Sequence, residues 1–223
     1  MALSTKIKHT RIGESLVEVI LAIFVVGIGV GVATTLIVTA LESNNFSRDN
    51  LIAMNLATEG IEAVRSIRDS NWLKYSFDRE HCWNLMPTSP CTAPYQKILS
   101  NHYIPYLDAN NVWQISASAN GALDLESNND AVNNLYQLKI VNLFGAGQNG
   151  TNFYVPQQVP CVAPCIPVPD DRENLRFYRM ITTTNEPDDN NVQAIKVESL
   201  VEWKTQGIIH KILLTTRLTN YQQ

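Results

Sequence analysis

No proline precedes Pro87, and no charged residue lies between Val19 and Leu41. The first absence removes the commonest helix breaker from the whole N-terminal part of the chain. The second leaves a run of 23 uncharged positions. As helix, at about 1.5 Å per residue, such a run covers roughly 34 Å, enough for the hydrocarbon core of a bilayer. Cysteine is scarce, with four in 223 residues, which excludes a disulfide-dense scaffold. Basic residues number 17 against 21 acidic ones, giving a net charge of −4 and a pI of about 5.6. That balance supplies no general pull towards nucleic acid. The sequence also lacks G-x-S-x-G, H-E-x-x-H, a P-loop and a Cys–His arrangement at sensible spacing. Its carboxylates fall mainly in loops rather than in apolar surroundings that shift a pKa. A non-enzymatic protein without cofactor is the expectation.

What is present begins at the start. Lys6, Lys8, His9 and Arg11 lead to Gly13; two carboxylates, Glu14 and Glu18, follow, and then the uncharged run. A cleaved secretory signal has an apolar region of about 7–15 residues followed by a small-residue cleavage site. Here the run is longer, and the small-residue break precedes it. A plain signal anchor fits the length and places the basic end in the cytoplasm. It leaves Glu18 unexplained, because charged groups within a membrane segment are costly and usually have a partner.

The string Gly13-Glu-Ser-Leu-Val-Glu18 with its basic leader and apolar helix resembles the class III signal of type IV pilins and of the pseudopilins of type II secretion. The resemblance implies cleavage after Gly13 by a prepilin peptidase and N-methylation of the new first residue, Glu14. Glu14 stands where the family has phenylalanine. Glu18 falls on the family's fifth-position glutamate. In a filament its carboxylate would pair with the amine left at Glu14 of a neighbouring subunit. The implied partners are other pilin subunits, the prepilin peptidase, an inner-membrane assembly platform and membrane lipid; nucleic acid is not indicated. The implied location is the inner membrane, single-pass with the C-terminal part exported, and then an extracellular or periplasmic filament. Leu56 to Leu73 and the strand–turn–strand ending are similar to PilV-type minor pilins.

Gly27, Gly29 and Gly31 lie within the apolar run. A nucleotide-binding glycine motif needs a preceding strand, whereas Gly27 and Gly31 have the small-xxx-small spacing of closely packed membrane helices. Beyond the run, Met54, Ala57, Ile61, Val64 and Ile67 form an apolar stripe at helical spacing. Glu62 and Arg65 lie one turn apart. One helix is expected from about Leu16 to about Arg68. The expected organisation is a leader over 1–13, a membrane or filament-core helix over 14–41, an amphipathic helix over 42–72 and an exported head over 73–223.

Residues 73–111, with four prolines, read as an irregular connector. His81 and His102 lack a third ligand or a nucleophile, so they read as surface polar residues. Strand signals start at Val112. Residues 112–118 and 122–125 flank Asn120-Gly121, the favoured hairpin turn. Leu135–Phe144, Leu175–Thr183, Ala194–Trp203 and Ile208–Asn220 are further strands. In the third of these, Ile195, Val197, Ser199, Val201 and Trp203 alternate with Lys196, Glu198, Leu200 and Glu202, a half-buried period of two. Residues 124–130 form an acidic loop that fails the EF-hand pattern, so a solvated loop is expected rather than a calcium site. Residues 145–170 read as a long surface loop, with a sequon at Asn149-Gly150-Thr151. Cys82, Cys91, Cys161 and Cys165 all lie beyond the apolar run, on the exported side, where disulfides form. Three pairings exist; short loops favour Cys82–Cys91 with Cys161–Cys165. A zinc site at Cys161 and Cys165 is disfavoured by the surrounding prolines and the absence of nearby histidine.

The expected fold class is α+β: a long N-terminal helix, membrane anchor plus amphipathic half, packed on a C-terminal antiparallel sheet. The expected function is that of a minor pilin or pseudopilin that enters or primes a filament. The alternatives are a pilus-tip adhesin or uptake receptor, and a signal-anchored exported binding domain unrelated to pili.

Overall fold

The structure is a computed structural model that describes residues 16–108, 110–118, 121–127, 129–142, 152–157, 166–167, 177–187, 193–205 and 207–220. Helix α1 runs from Leu16 to Lys74. The chain divides into two compact units, 1–49 and 50–223. In the first, the described residues are α1 alone, and every one from Leu16 to Arg48 is exposed.

In the second unit the remaining part of α1 packs on a five-stranded antiparallel sheet. The strands are β1 (Asn101–Leu107), β2 (Trp113–Ala117), β3 (Leu138–Asn142), β4 (Asn152–Pro156), β5 (Ile166–Pro167), β6 (Phe177–Pro187), β7 (Gln193–Thr205) and β8 (Ile208–Thr219). The large sheet has the order β2-β1-β6-β7-β8, and β4-β3-β5 form a smaller one. The α+β class is therefore the one the sequence predicts. Period-two patterning sets β7: Ile195, Val197, Ser199, Val201 and Trp203 are all buried. Val64 and Ile67 of α1 meet Ile195, Val197 and Ile181. Ala53, Leu56 and Ala57 meet Phe177, Val201 and Trp203. A third cluster joins Ile104 and Met180 to Leu123 and Tyr136, so part of the far face of the sheet is covered too.

Several expectations are corrected. Helix α1 continues past Arg68 to Lys74, because tertiary partners hold its last turns: Asn71 Nδ2 donates to the Leu85 carbonyl at 2.7 Å, and the Arg79 guanidinium lies 3.8 Å from the centre of the Trp72 ring. Of the expected stripe, Ala57, Ile61, Val64 and Ile67 are buried, whereas Met54 is 42 % exposed and Ala53 and Leu56 extend the buried stripe in its place. The connector contains β1, Pro105 included, and β1 rather than residues 122–125 is the partner of β2. Residues 121–124 are not strand; Leu123 turns in to Met180. Residues 134–136 form a turn of 3-10 helix ahead of β3. Strands β4 and β5 fall in the stretch read as loop.

Candidate functional site

Two regions carry unusual chemistry, one in each unit. The first is the apolar part of α1. Its large side chains are Val, Ile, Leu and Phe, and they remain exposed. By length and composition it can cross a membrane. Glu18 lies in its first turn. Polar groups further along are satisfied within the helix: Thr34 and Thr35 donate to the Gly31 carbonyl at 2.8 and 3.0 Å. At Gly27, Gly29 and Gly31 an added Cβ would meet nothing within 4 Å. The fold of this chain alone gives those glycines no packing role. Gly13 and Glu14 lie outside the described residues.

The second region is the interior of the head, where α1 crosses β6 and β7. Arg179 of β6 points to the helix face and is 1 % exposed. It donates to the Leu56 carbonyl at 3.3 Å and to the Pro105 carbonyl at 3.4 Å. Its charge is met by Glu59 Oε1 at 3.3 Å. Burial works against the charged guanidinium, and Glu59 works for it. Proline explains the opening. The β1–β6 ladder stops at Tyr103↔Ile181; extended by two residues on each strand, the register sets Pro105 opposite Arg179. A proline has no N–H to give to the ladder, and the Arg179 side chain donates to its carbonyl instead. Beside this cluster Gly60 lets α1 approach β7. A Cβ there would press into Ser199 Oγ and lie 3.3 Å from Ser199 Cβ. Sequence reasoning missed this cluster. The signal was an arginine at an inward position of the alternating run Phe177, Arg179, Ile181, Thr183.

The remaining sequence-predicted residues fall elsewhere. Cys82 and Cys91 form a disulfide with a Cα–Cα separation of 5.6 Å. Asp78 lies beside the pair, with ligand atoms within 4.8 Å. Both sulfurs are spent in the disulfide, so this group cannot hold a metal as thiolates. Cys161, Cys165 and the sequon lie outside the described residues. His81 and His102 each have their own partner: His81 Nδ1 lies 2.8 Å from Asp78 Oδ1, which holds the Asp78 carboxyl below its usual range, and His102 Nδ1 lies 3.0 Å from Thr182 Oγ1. Cross-linking at a sequence separation of 9 removes about 2–3 kcal/mol of unfolded-chain entropy. The Cys82→Ala, Cys91→Ala double variant is therefore expected to lose about 2–3 kcal/mol in urea unfolding; an unchanged midpoint would show that the bridge contributes nothing.

In the acidic loop the described residues are exposed except Leu125, which is partly buried. Leu123 is buried against Met180, and residues Leu125–Ser127 form a 3-10 turn over the outer face of β7. Glu202, 7 % exposed, accepts from the Leu125 N–H at 3.0 Å. Burial raises its pKa, Asp124 and Glu126 add to the rise, and the Leu125 N–H and Lys211 oppose it. A carboxyl whose pKa is raised by folding holds its proton better in the folded state. Stability from this group is full below the unfolded value and falls as pH rises through the folded one. Glu202→Gln, which keeps the acceptor oxygen, is expected to raise Tm at neutral pH, with the gain vanishing at about pH 4, near the ordinary glutamate value. A gain that stays constant with pH would contradict this account.

Compared with protein-family models, with curated proteins and with solved structures, the chain matches none.

Proposed function

We propose that this chain is a filament subunit of the minor-pilin or pseudopilin kind, belonging to a type IV pilus or a type II secretion-like filament. In this reading α1 holds it in the inner membrane, prepilin peptidase cuts after Gly13, and the apolar half of α1 passes into the filament core. The role is structural and not catalytic. One observation carries it: an apolar helical segment left exposed up to Leu41 with a carboxylate, Glu18, in its first turn. Bare apolar surface of that extent calls for lipid or for other helices. A carboxylate within the first turn of such a segment calls for a cation, and cleavage at Gly13 creates one at the Glu14 amine. Lipid alone satisfies the apolar surface but not Glu18; a bundle of identical or similar helices satisfies both.

The test is the mass of the mature N-terminus in cells with and without prepilin peptidase. The expected first residue is Glu14, found only with the peptidase. A start at Met1 or Ala2 in both strains overturns the reading. In the same cells Glu18→Ala is expected to be cut normally yet to be lost from sheared filaments, since removing one partner of a buried pair costs about 3–5 kcal/mol. Normal incorporation of that variant would refute the pairing of Glu18 with the amine.

A further inference from the structure

We propose that the outer edge of β8 is a strand-addition site, which takes an extended segment of a partner polypeptide with acidic residues on one face and apolar residues on the other. This goes beyond the filament reading and does not depend on it, because it concerns the second unit alone.

The backbone fixes the kind of occupant. Strand β8 ends the large sheet. It pairs with β7 in one unbroken register, from Thr205↔Ile208 to Ala194↔Thr219. Among the described residues no strand pairs with its other side, so alternate N–H and C=O groups point outward along the strand. An open row of this kind is a template for another extended chain. Native edges are commonly blunted by shortness, proline or a bulge. Strand β8 is 12 residues long, has no proline and has no break in register. The opposite edge, β2, has 5 residues.

The side chains narrow the choice. On the helix side of the sheet Ile212 and Leu214 are half-buried at the margin of the Phe177–Trp203 cluster. Apolar side chains from an added strand would close that margin. On the other face Lys211, Leu213, Thr215 and Arg217 follow at the strand period, and Leu213 is 56 % exposed. Strand β8 carries Lys211 and Arg217 and no carboxylate. Each cation already has an acidic neighbour on its inner side: Lys211 stands across from Glu202 in register, and Arg217 reaches Glu186 at 3.4 Å. Acidic residues on an incoming strand would complete the arrangement from the open side. A second copy of β8 would bring only more cations to the same face, so like charges count against self-pairing.

The test uses the full chain in detergent micelles and a capped 12-residue peptide of alternating valine and glutamate. Amide exchange of β8 is followed residue by residue. At ten times its Kd the peptide is expected to slow the outward β8 amides about tenfold, while β7 amides stay as they were. The same peptide with alternate amides N-methylated is expected to have no effect. The Lys211→Glu, Arg217→Glu variant is expected to lose the glutamate peptide and to gain one of alternating valine and lysine. If that variant fails to fold, Leu213→Glu serves instead, and it is expected to weaken only the acidic peptide. Unchanged β8 exchange, or equal binding by the N-methylated peptide, overturns the proposal. So does protection of β8 that grows with protein concentration and without peptide, which would make the occupant a second copy.

Discussion

Gly60→Ala is expected to destabilise the head, although α-helix propensity alone favours alanine over glycine by about 1 kcal/mol at an interior position. The sign is set by space. A Cβ at residue 60 presses into Ser199 Oγ and lies 3.3 Å from Ser199 Cβ and 3.5 Å from Arg179 Cδ. Ser199 is fully buried on the interior strand β7 and cannot swing aside into solvent. Overpacking of this kind typically costs about 1–3 kcal/mol. Gly60→Leu, with a whole side chain to place in the same gap, is expected to leave no cooperative unfolding transition. Urea unfolding followed by circular dichroism distinguishes the outcomes. A Gly60→Ala variant more stable than the parent would mean that the helix does not approach β7 this closely. A double-mutant cycle with Ser199→Ala locates the strain, with an expected coupling of at least about 0.5 kcal/mol in the rescuing direction.

Arg179→Ala is expected to cost about 3–5 kcal/mol. Three losses combine: the cavity left by a long buried side chain, the donors to the Leu56 and Pro105 carbonyls, and the cation facing Glu59. Arg179→Met separates them. It restores most of the volume and removes the burden of burying a charge, and replacing buried ions by well-packed apolar groups is often neutral. What remains is the stranded Pro105 carbonyl, worth about 1–3 kcal/mol. Glu59→Gln leaves a buried guanidinium facing a neutral partner. Because Glu59 is half-buried, solvent screens part of the effect, and its cost is expected to fall below that of Arg179→Ala. Equal losses for Arg179→Ala and Arg179→Met would assign the whole effect to charge and hydrogen bonds. A loss below about 1 kcal/mol for Arg179→Ala would remove the cluster from the account of stability.

In the filament reading the two regions have separate tasks. Glu18 and the apolar surface of α1 serve assembly, whereas Gly60, Ser199, Glu59 and Arg179 keep the second part of α1 fixed on its sheet. Variants of the interior group are therefore expected to act through the stability of the head, and Glu18→Ala to act without touching it.

The sequence by itself determined whatever a repeating pattern or a short separation can write. The uncharged run marked the apolar part of α1. Spacing of three and four marked its amphipathic continuation. Alternation marked five of the buried positions of β7, and the neighbouring strands β6 and β8 were also legible; the turn between β7 and β8 holds Gly207 at a φ of +84°. Cys82 and Cys91 were close enough in the chain to be paired by loop length alone. The tertiary structure decided what depends on neighbours distant in sequence. Strand β1 contains a proline and reads as connector until β2 and β6 supply its hydrogen bonds. Residues 122–125 alternate like a strand, yet Leu123 gains more by turning in to Met180 than by pairing. Met54 and Ala53 are adjacent and both apolar; only the position of the sheet makes one exposed and the other buried. Arg179 has no partner in its own strand, and only the closed fold brings Glu59, Leu56 and Pro105 to it from two other elements. Local pattern records the preference of a segment for one face, and the partner that satisfies that face is set only when the chain closes on itself.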